Sequence, residues 1–198
     1  MAINYKQIAF TGAYGTASQL PVSVHPEVSF AGRSNVGKSS LMNKLFGRKG
    51  LVKVSSKPGK TSTVNFFSTE TVDFVDLPGY GYARVSAAER LRWSELMKAY
   101  FEQDRHHALV VCLIDIRHDV SPLDVRMTHY LTELELPLAL VFTKADKLSH
   151  TRQQRQLRML CHALGAQGDT AVLSCSAVSG QGIDTLRALI AAFVEGAT

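Results

Sequence analysis

Gly32-Arg33-Ser34-Asn35-Val36-Gly37-Lys38-Ser39 stands between a short apolar run, Glu27–Ala31, and a stretch carrying Leu41, Leu45 and Phe46 at helical spacing. The octet fits G-x-x-x-x-G-K-[ST] at a strand-to-helix turn, the context in which that pattern grips phosphate. Its two glycines let the backbone wrap around an anion, so that successive N–H groups and the helix N-terminus face it. Lys38 is then expected to reach the β- and γ-phosphates of a nucleotide, and the Ser39 hydroxyl to ligate Mg²⁺. A plain glycine-rich turn would explain the glycines but not Lys-Ser in register.

On either side of the octet, short apolar runs alternate with amphipathic stretches. Val64–Thr69 and Thr71–Asp76 read as adjacent strands, Ala108–Ile114 and Leu138–Phe142 as strands covered on both faces, and Thr170–Cys175 as a last strand. Ser86-Ala87-Ala88-Glu89 is a capping box opening a helix to about Gln103, with Leu91, Met97, Tyr100 and Phe101 expected inside. Ser121-Pro122 places an N-cap before a proline at the first helical position, and that helix runs to about Glu135. Thr151–Leu164 and Gly182–Phe193 are the remaining helices. Such alternation implies an α/β fold of three layers, a mostly parallel central sheet with helices on both faces. Residues 1–24 read as an N-terminal extension packed on the domain, contributing a turn or an edge strand, and residues 25–195 as the nucleotide-binding domain.

Three further loops carry chemistry. Asp76-Leu77-Pro78-Gly79 follows Ser39 by 37 residues at a strand end. There a carboxylate can hold Mg²⁺ through water and the Gly79 N–H can bond a γ-phosphate. Thr143-Lys144-Ala145-Asp146 ends a later strand. The Asp146 carboxylate only accepts hydrogen bonds, and guanine offers adjacent N1–H and N2–H₂ donors that adenine lacks. Ser174-Cys175-Ser176-Ala177 follows the last strand, where the Ala177 N–H is placed to meet guanine O6.

In this order and spacing the four loops resemble a GTPase of the Ras-like P-loop NTPase fold. Lys57-Pro58-Gly59-Lys60-Thr61, Asp76-Leu77-Pro78-Gly79-Tyr80-Gly81-Tyr82-Ala83 and Asp115-Ile116-Arg117-His118 narrow the match. They are similar to the EngB (YihA/YsxC-type) family of bacterial GTP-binding proteins, over about residues 5–194. The resemblance implies that Gly59, Lys60, Thr61, Ser62 and Thr63 contact the nucleotide, and that Thr61 joins Ser39 on Mg²⁺ in the GTP state. Lys38, Thr61 and Gly79 would then carry the catalysis. Thr143 replaces the Asn of most GTPases, while Lys144 and Asp146 keep their roles. Cys175, Ser176 and Ala177 complete the base pocket. The family is associated with assembly of the large ribosomal subunit and with cell division and septation. The partners implied are GTP, GDP, ribosomal RNA and a precursor of that subunit.

A Ras-type GTPase orients the attacking water with a Gln where this chain has Tyr80, so slow intrinsic hydrolysis is expected. Asn35 is open to two readings. It resembles the Asn of GTPases that coordinate K⁺ beside the phosphates, or it fixes the loop by side-chain hydrogen bonds to backbone.

Charge sets the remaining expectations. The chain of 198 residues has 22 Lys and Arg against 17 Asp and Glu, a formal charge of +5. Two acid-free runs, between Glu27 and Glu70 and between Asp146 and Asp169, hold twelve of the basic residues, which leaves −7 for the rest. Two basic regions on an acidic body suit a polyanion partner. Arg48–Lys60 has few apolar anchors and is expected to be mobile without GTP. Arg152, Arg155 and Arg158 are expected to share one helix face, as an RNA contact or a solvated surface. No run of eighteen apolar residues is present, no secretory signal is expected from the first residues, and three widely spaced cysteines suit reduced thiols. The expected setting is a cytoplasmic monomer without membrane insertion. Competing readings are a P-loop kinase or ATPase, disfavoured by Asp146, and a nucleotide sensor acting on the division machinery without binding RNA.

Overall fold

The structure, a computed structural model, describes residues 3–53, 63–81, 86–166 and 170–197. Seven strands form one sheet: β1 (Ala9–Tyr14), β2 (Glu27–Gly32), β3 (Val64–Ser68), β4 (Asp73–Asp76), β5 (His107–Asp115), β6 (Leu138–Thr143) and β7 (Ala171–Ser174). Their spatial order is β1-β3-β4-β2-β5-β6-β7. The run β4-β2-β5-β6-β7 is parallel throughout, and β3 is antiparallel to both β4 and β1. The N-terminal extension therefore supplies an edge strand, β1, with a register shift between Phe10 and Gly12.

Alternation along the central strands explains the three layers. On β5, Leu109, Val111 and Leu113 face one side, packed with α1 (Lys38–Phe46) and α5 (Ile183–Gly196). Val110, Cys112 and Ile114 face the other, packed with α2 (Ala87–Glu102), α3 (Pro122–Glu133) and α4 (His150–Ala163). Strands buried on both faces need a continuous apolar run, which is what β5 and β6 have.

Capping boxes start α2 and α3: Ser86 with Glu89, and Ser121 with Asp124, the second followed by proline. On α2 the buried side chains are Leu96, Met97, Tyr100 and Phe101. Leu91 corrects the expectation from sequence, for it is 61% exposed. Five residues before Leu96, it is rotated about 140° off the buried stripe at 3.6 residues per turn.

At the starting ends of the strands, Glu27 is fully buried. It accepts from Arg105 Nε at 3.0 Å and Nη2 at 2.6 Å, and from the Tyr100 hydroxyl at 2.8 Å. Arg105 also donates to the Pro21 carbonyl at 2.9 Å, tying the N-terminal segment to this end of the sheet. At the opposite end, β2 is the point where strand order reverses, with β4 on one side and β5 on the other. Ligands of open α/β sheets bind in the crevice at the carboxyl ends of strands flanking such a point.

Candidate functional site

The loop after β2 occupies that crevice. Gly37 adopts φ 102° and caps α1, and Asn35 has φ 64°, a left-handed conformation that favours glycine. A Cβ at Gly32 would come within 2.9 Å of Val36 and 3.1 Å of the Leu113 carbonyl, so only glycine fits. Val36 is buried and anchors the loop in the core, while the exposed Asn35 side chain makes no hydrogen bond among the described residues. The loop-fixing role read for Asn35 is thereby corrected. What holds the loop is the Asn35 main chain, whose carbonyl accepts from Lys144 Nζ at 2.8 Å.

Lys38 pairs with Asp76 at the end of β4, and both side chains are nearly buried. Asn65 Nδ2 donates to the other Asp76 oxygen at 3.4 Å, and the Thr63 hydroxyl donates to Asn65 at 2.9 Å. Thr63 thus joins the acidic corner through Asn65, a residue that no motif singles out. Ser39 lies at the first turn of α1, half-buried. Its hydroxyl and the Asp76 carboxylate are hard oxygen donors of the kind Mg²⁺ takes beside phosphate oxygens, so the residues present fit that ion. Gly59, Lys60, Thr61 and Ser62 lie outside the described residues, as do Lys57 and Tyr82 to Val85. The start of the Arg48–Lys60 segment departs from the mobile stretch expected. Asn43 of α1 clamps Val52 through both its N–H, at 2.9 Å, and its carbonyl, at 2.7 Å.

The Asp76–Gly79 loop lies against the phosphate loop. Leu77 is buried and its N–H donates to Phe30. The Tyr80 N–H donates to the Gly32 carbonyl at 3.3 Å, and the Tyr80 carbonyl accepts from Ser34 N–H at 2.9 Å and Ser34 Oγ at 3.2 Å. Its ring is 5% exposed and its hydroxyl donates to Asp124 Oδ1 at 3.0 Å. Burial, with the Cys112 and Asp124 groups alongside, pushes this phenol far above its ordinary range. Tyr80 is thus a packing residue with its polar end engaged. Arg33 is exposed and leans toward Asp124, Nη1 to Oδ2 at 4.0 Å. From α2, Trp93 Nε1 donates to the Pro78 carbonyl at 3.2 Å.

The base side is built from the ends of β6 and β7. The buried Thr143 hydroxyl donates toward the Val36 carbonyl at 2.7 Å and that of Ile114 at 3.2 Å, stitching β6 to the phosphate loop. Lys144, at φ 60°, extends over Gly37 with Cε 3.7 Å from where a Cβ would sit, and reaches Asp115 Oδ2 at 2.8 Å. Burial opposes charge on Asp115, but bonds from Arg117 and Lys144 outweigh it and hold the carboxyl well below its usual range. Ala145 is buried, its N–H bonded to the Cys175 carbonyl. Asp146 Oδ1 accepts from Ser176 Oγ at 2.6 Å, which lowers the carboxyl's pKa and fixes its orientation. Ser176 is fully buried and its oxygen also accepts from the N–H groups of Val178 and Ser179. Cys175 is buried too, with its thiol toward the Gly182 carbonyl at 3.6 Å, so only its main chain belongs to this loop. Ala177, half-buried, follows on the same turn.

Anionic and cationic groups thus meet at the phosphate end, and a fixed acceptor-only carboxylate stands at the other. Comparison with known proteins places the chain among GTPases. The family described as 50S ribosome-binding GTPase matches residues 27–144. A probable GTP-binding protein EngB of Syntrophomonas wolfei is 43% identical over 192 residues, covering 96% of this chain and 98% of its own. Its counterpart in Geobacillus kaustophilus is 41% identical, covering 97% and 99%. A crystal structure of a probable GTP-binding protein engB superposes with a TM-score of 0.72 at 24% identity, over 86% of this chain and 99% of that one, and shows the shared fold. The P-loop NTPase fold, the converging loops and these relatives lead to one assignment: the chain belongs to the EngB family of 50S ribosome-binding GTPases and is a GTP-hydrolysing enzyme.

Proposed function

We propose that this GTPase is a slow, Mg²⁺-dependent switch in assembly of the bacterial large ribosomal subunit, acting in the cytoplasm and needed for normal division and septation. The observation that carries the switch is the Lys38–Asp76 pair beside the docked Asp76–Tyr80 loop. A bound phosphate chain would draw Lys38 to its own oxygens, in competition with Asp76. In this reading Gly32 to Ser39 cradle the phosphates, Gly79 meets the γ-phosphate, and Asp146 with Ser176 and Ala177 selects guanine. Ser39 and Asp76, together with Thr61, hold Mg²⁺, which supplies neutralisation of phosphate charge.

The inward-facing Tyr80 supports slow hydrolysis, since no side chain at that position orients water. Asn35, exposed and with its side chain unbonded among the described residues, supports K⁺ as a second cation. Equal turnover in KCl and NaCl at fixed ionic strength would refute that ion. The ribosomal partner is supported by the family's description and by exposed cations: Lys49, Lys53 and, along α4, Arg152, Arg155 and Arg158. No described helix is long and apolar enough to cross a membrane. The test is a pull-down with protein loaded with a non-hydrolysable GTP analogue or with GDP. Large-subunit rRNA enriched in the GTP form is expected. Recovery of division proteins without ribosomal particles would overturn the proposal.

A further inference from the structure

The Asp76–Tyr80 loop is pinned on three sides, and one of its peptide planes is held from α2 alone. Tyr80 is fixed to the phosphate loop through its N–H and carbonyl, and to α3 through its hydroxyl on Asp124. That carboxylate is itself set by the Ser121 N–H at 3.0 Å and the Ser121 Oγ at 2.7 Å. One link back along the chain, the Pro78 carbonyl accepts from Trp93 Nε1. The Pro78 carbonyl and the Gly79 N–H belong to one planar trans peptide, so they point in opposite directions. Gripping the carbonyl from α2 therefore turns the Gly79 N–H away from α2. Among the described residues that N–H donates to nothing. Gly79 itself lies against the phosphate loop, where an added Cβ would fall 3.2 Å from Ser34 Oγ and 3.3 Å from Ser34 N.

From this geometry we infer that Trp93 is a positioning residue for the γ-phosphate. Its indole N–H holds the Pro78–Gly79 peptide with the Gly79 N–H presented to a nucleoside triphosphate, and couples α2 to the presence of the third phosphate. The inference rests on the GTP/GDP switch proposed above. Diphosphate has no group at this position, so the indole hydrogen bond enters triphosphate binding only. It also gives α2 a direct mechanical link to the nucleotide: a peptide flip would release the indole, and displacement of α2 would free the peptide to flip.

Trp93→Phe removes the N–H and keeps an aromatic ring against the buried cluster on this side of the sheet. Affinities of wild type and variant for fluorescent GDP and for a fluorescent non-hydrolysable GTP analogue decide the matter. Loss of one hydrogen bond's worth of preorganisation lowers affinity for the analogue about threefold to tenfold. GDP affinity stays within about twofold. Equal changes in both, no change in either, or tighter analogue binding would each overturn the inference. Should the variant melt below the assay temperature, the wild type carries the test. Trp93 is the chain's single tryptophan, so one indole N–H resonance reports on it. In the analogue-bound protein that N–H is expected to exchange slowly with solvent, and exchange at the rate of a free indole would refute the inference. Wild type that binds neither nucleotide refutes the GTP/GDP reading and the role of Trp93 with it. Wild type that discriminates while the variant discriminates equally refutes only Trp93.

Discussion

Replacing Arg105 with Met leaves Glu27 inside the protein without its cation. The pair is sealed from solvent, 2% and 0% exposed, and bidentate, with the guanidinium also stacked 5.2 Å from the Tyr100 ring centre and 5.5 Å from that of Phe66. Breaking such a pair from one side costs about 3–5 kcal/mol, because the remaining charge has no water and no counter-charge, only the neutral hydrogen bond from Tyr100. The lost bond to the Pro21 carbonyl adds to this. For a chain of this length each kcal/mol lowers Tm by about 2–4 °C, so a drop of roughly 6–20 °C is expected. Glu27 begins β2 and Gly32 ends it, a separation of about 17 Å at strand rise. Guanine nucleotide affinity of the folded variant should therefore be unchanged. Urea unfolding followed by circular dichroism measures the first quantity, and fluorescent GDP the second. A triple variant, Glu27→Leu with Tyr100→Phe and Arg105→Met, removes the carboxylate together with both side chains that donate to it and should regain much of the loss. A single-variant cost under about 1 kcal/mol, or a triple variant no more stable than the single, would refute the reasoning.

Ser176→Ala removes a hydrogen bond to an ionised carboxylate and leaves the Val178 and Ser179 N–H groups without their acceptor. Affinity for GDP and for a GTP analogue should fall together, by about tenfold or more, in a fluorescence titration. Gly182→Ala places a Cβ 2.2 Å from the Ser174 carbonyl at φ 73°, and a thermal melt should show severe destabilisation or no folded protein. Burial pushes the Cys112 and Cys175 thiols up to about 12, so at pH 8 both are protonated and enclosed. Iodoacetamide at that pH should leave these two unmodified in the native protein and label all three cysteines in urea, as read by mass spectrometry. The sign is fixed by the direction of the shift: a raised thiol pKa means less thiolate, and hence slower alkylation, than an ordinary cysteine at the same pH.

The loops of the candidate site were legible because their chemistry is local. Glycines, a lysine and a hydroxyl at set offsets make a phosphate cradle whatever surrounds it, and an acceptor-only carboxylate at a strand end suits guanine. The strands and helices were legible for a similar reason, since burial on one or two faces imposes a period. The groups that hold those loops in place were not. Tyr80 meets Asp124 across 44 residues, Lys144 meets Asp115 across 29, and Trp93 meets Pro78 across 15. No periodicity encodes a hydrogen bond between elements that only the sheet order brings together. Leu91 was misplaced by its composition alone; the phase of the helix, set by Leu96, Met97, Tyr100 and Phe101, puts it outside. Asn65 gave no signal because a polar residue inside a strand has an exposed position as its ordinary reading.

The strand order bears on how the protein comes into being. β2, which carries the phosphate loop, is flanked by β4 from residues 73–76 and β5 from residues 107–115. A nascent chain that has emerged only through Gly79 holds the whole loop after β2, yet β2 still lacks β5 along one edge and the α2 and α3 layer on one side of the sheet. The groups proposed to select guanine arrive last, between Thr143 and Ala177. Vectorial synthesis therefore delivers the capacity to hold a polyphosphate well before the capacity to tell one base from another. Because ligand binding stabilises only the species that binds, a preference of the folding chain for guanine over other nucleotides can arise only once these last segments are in place.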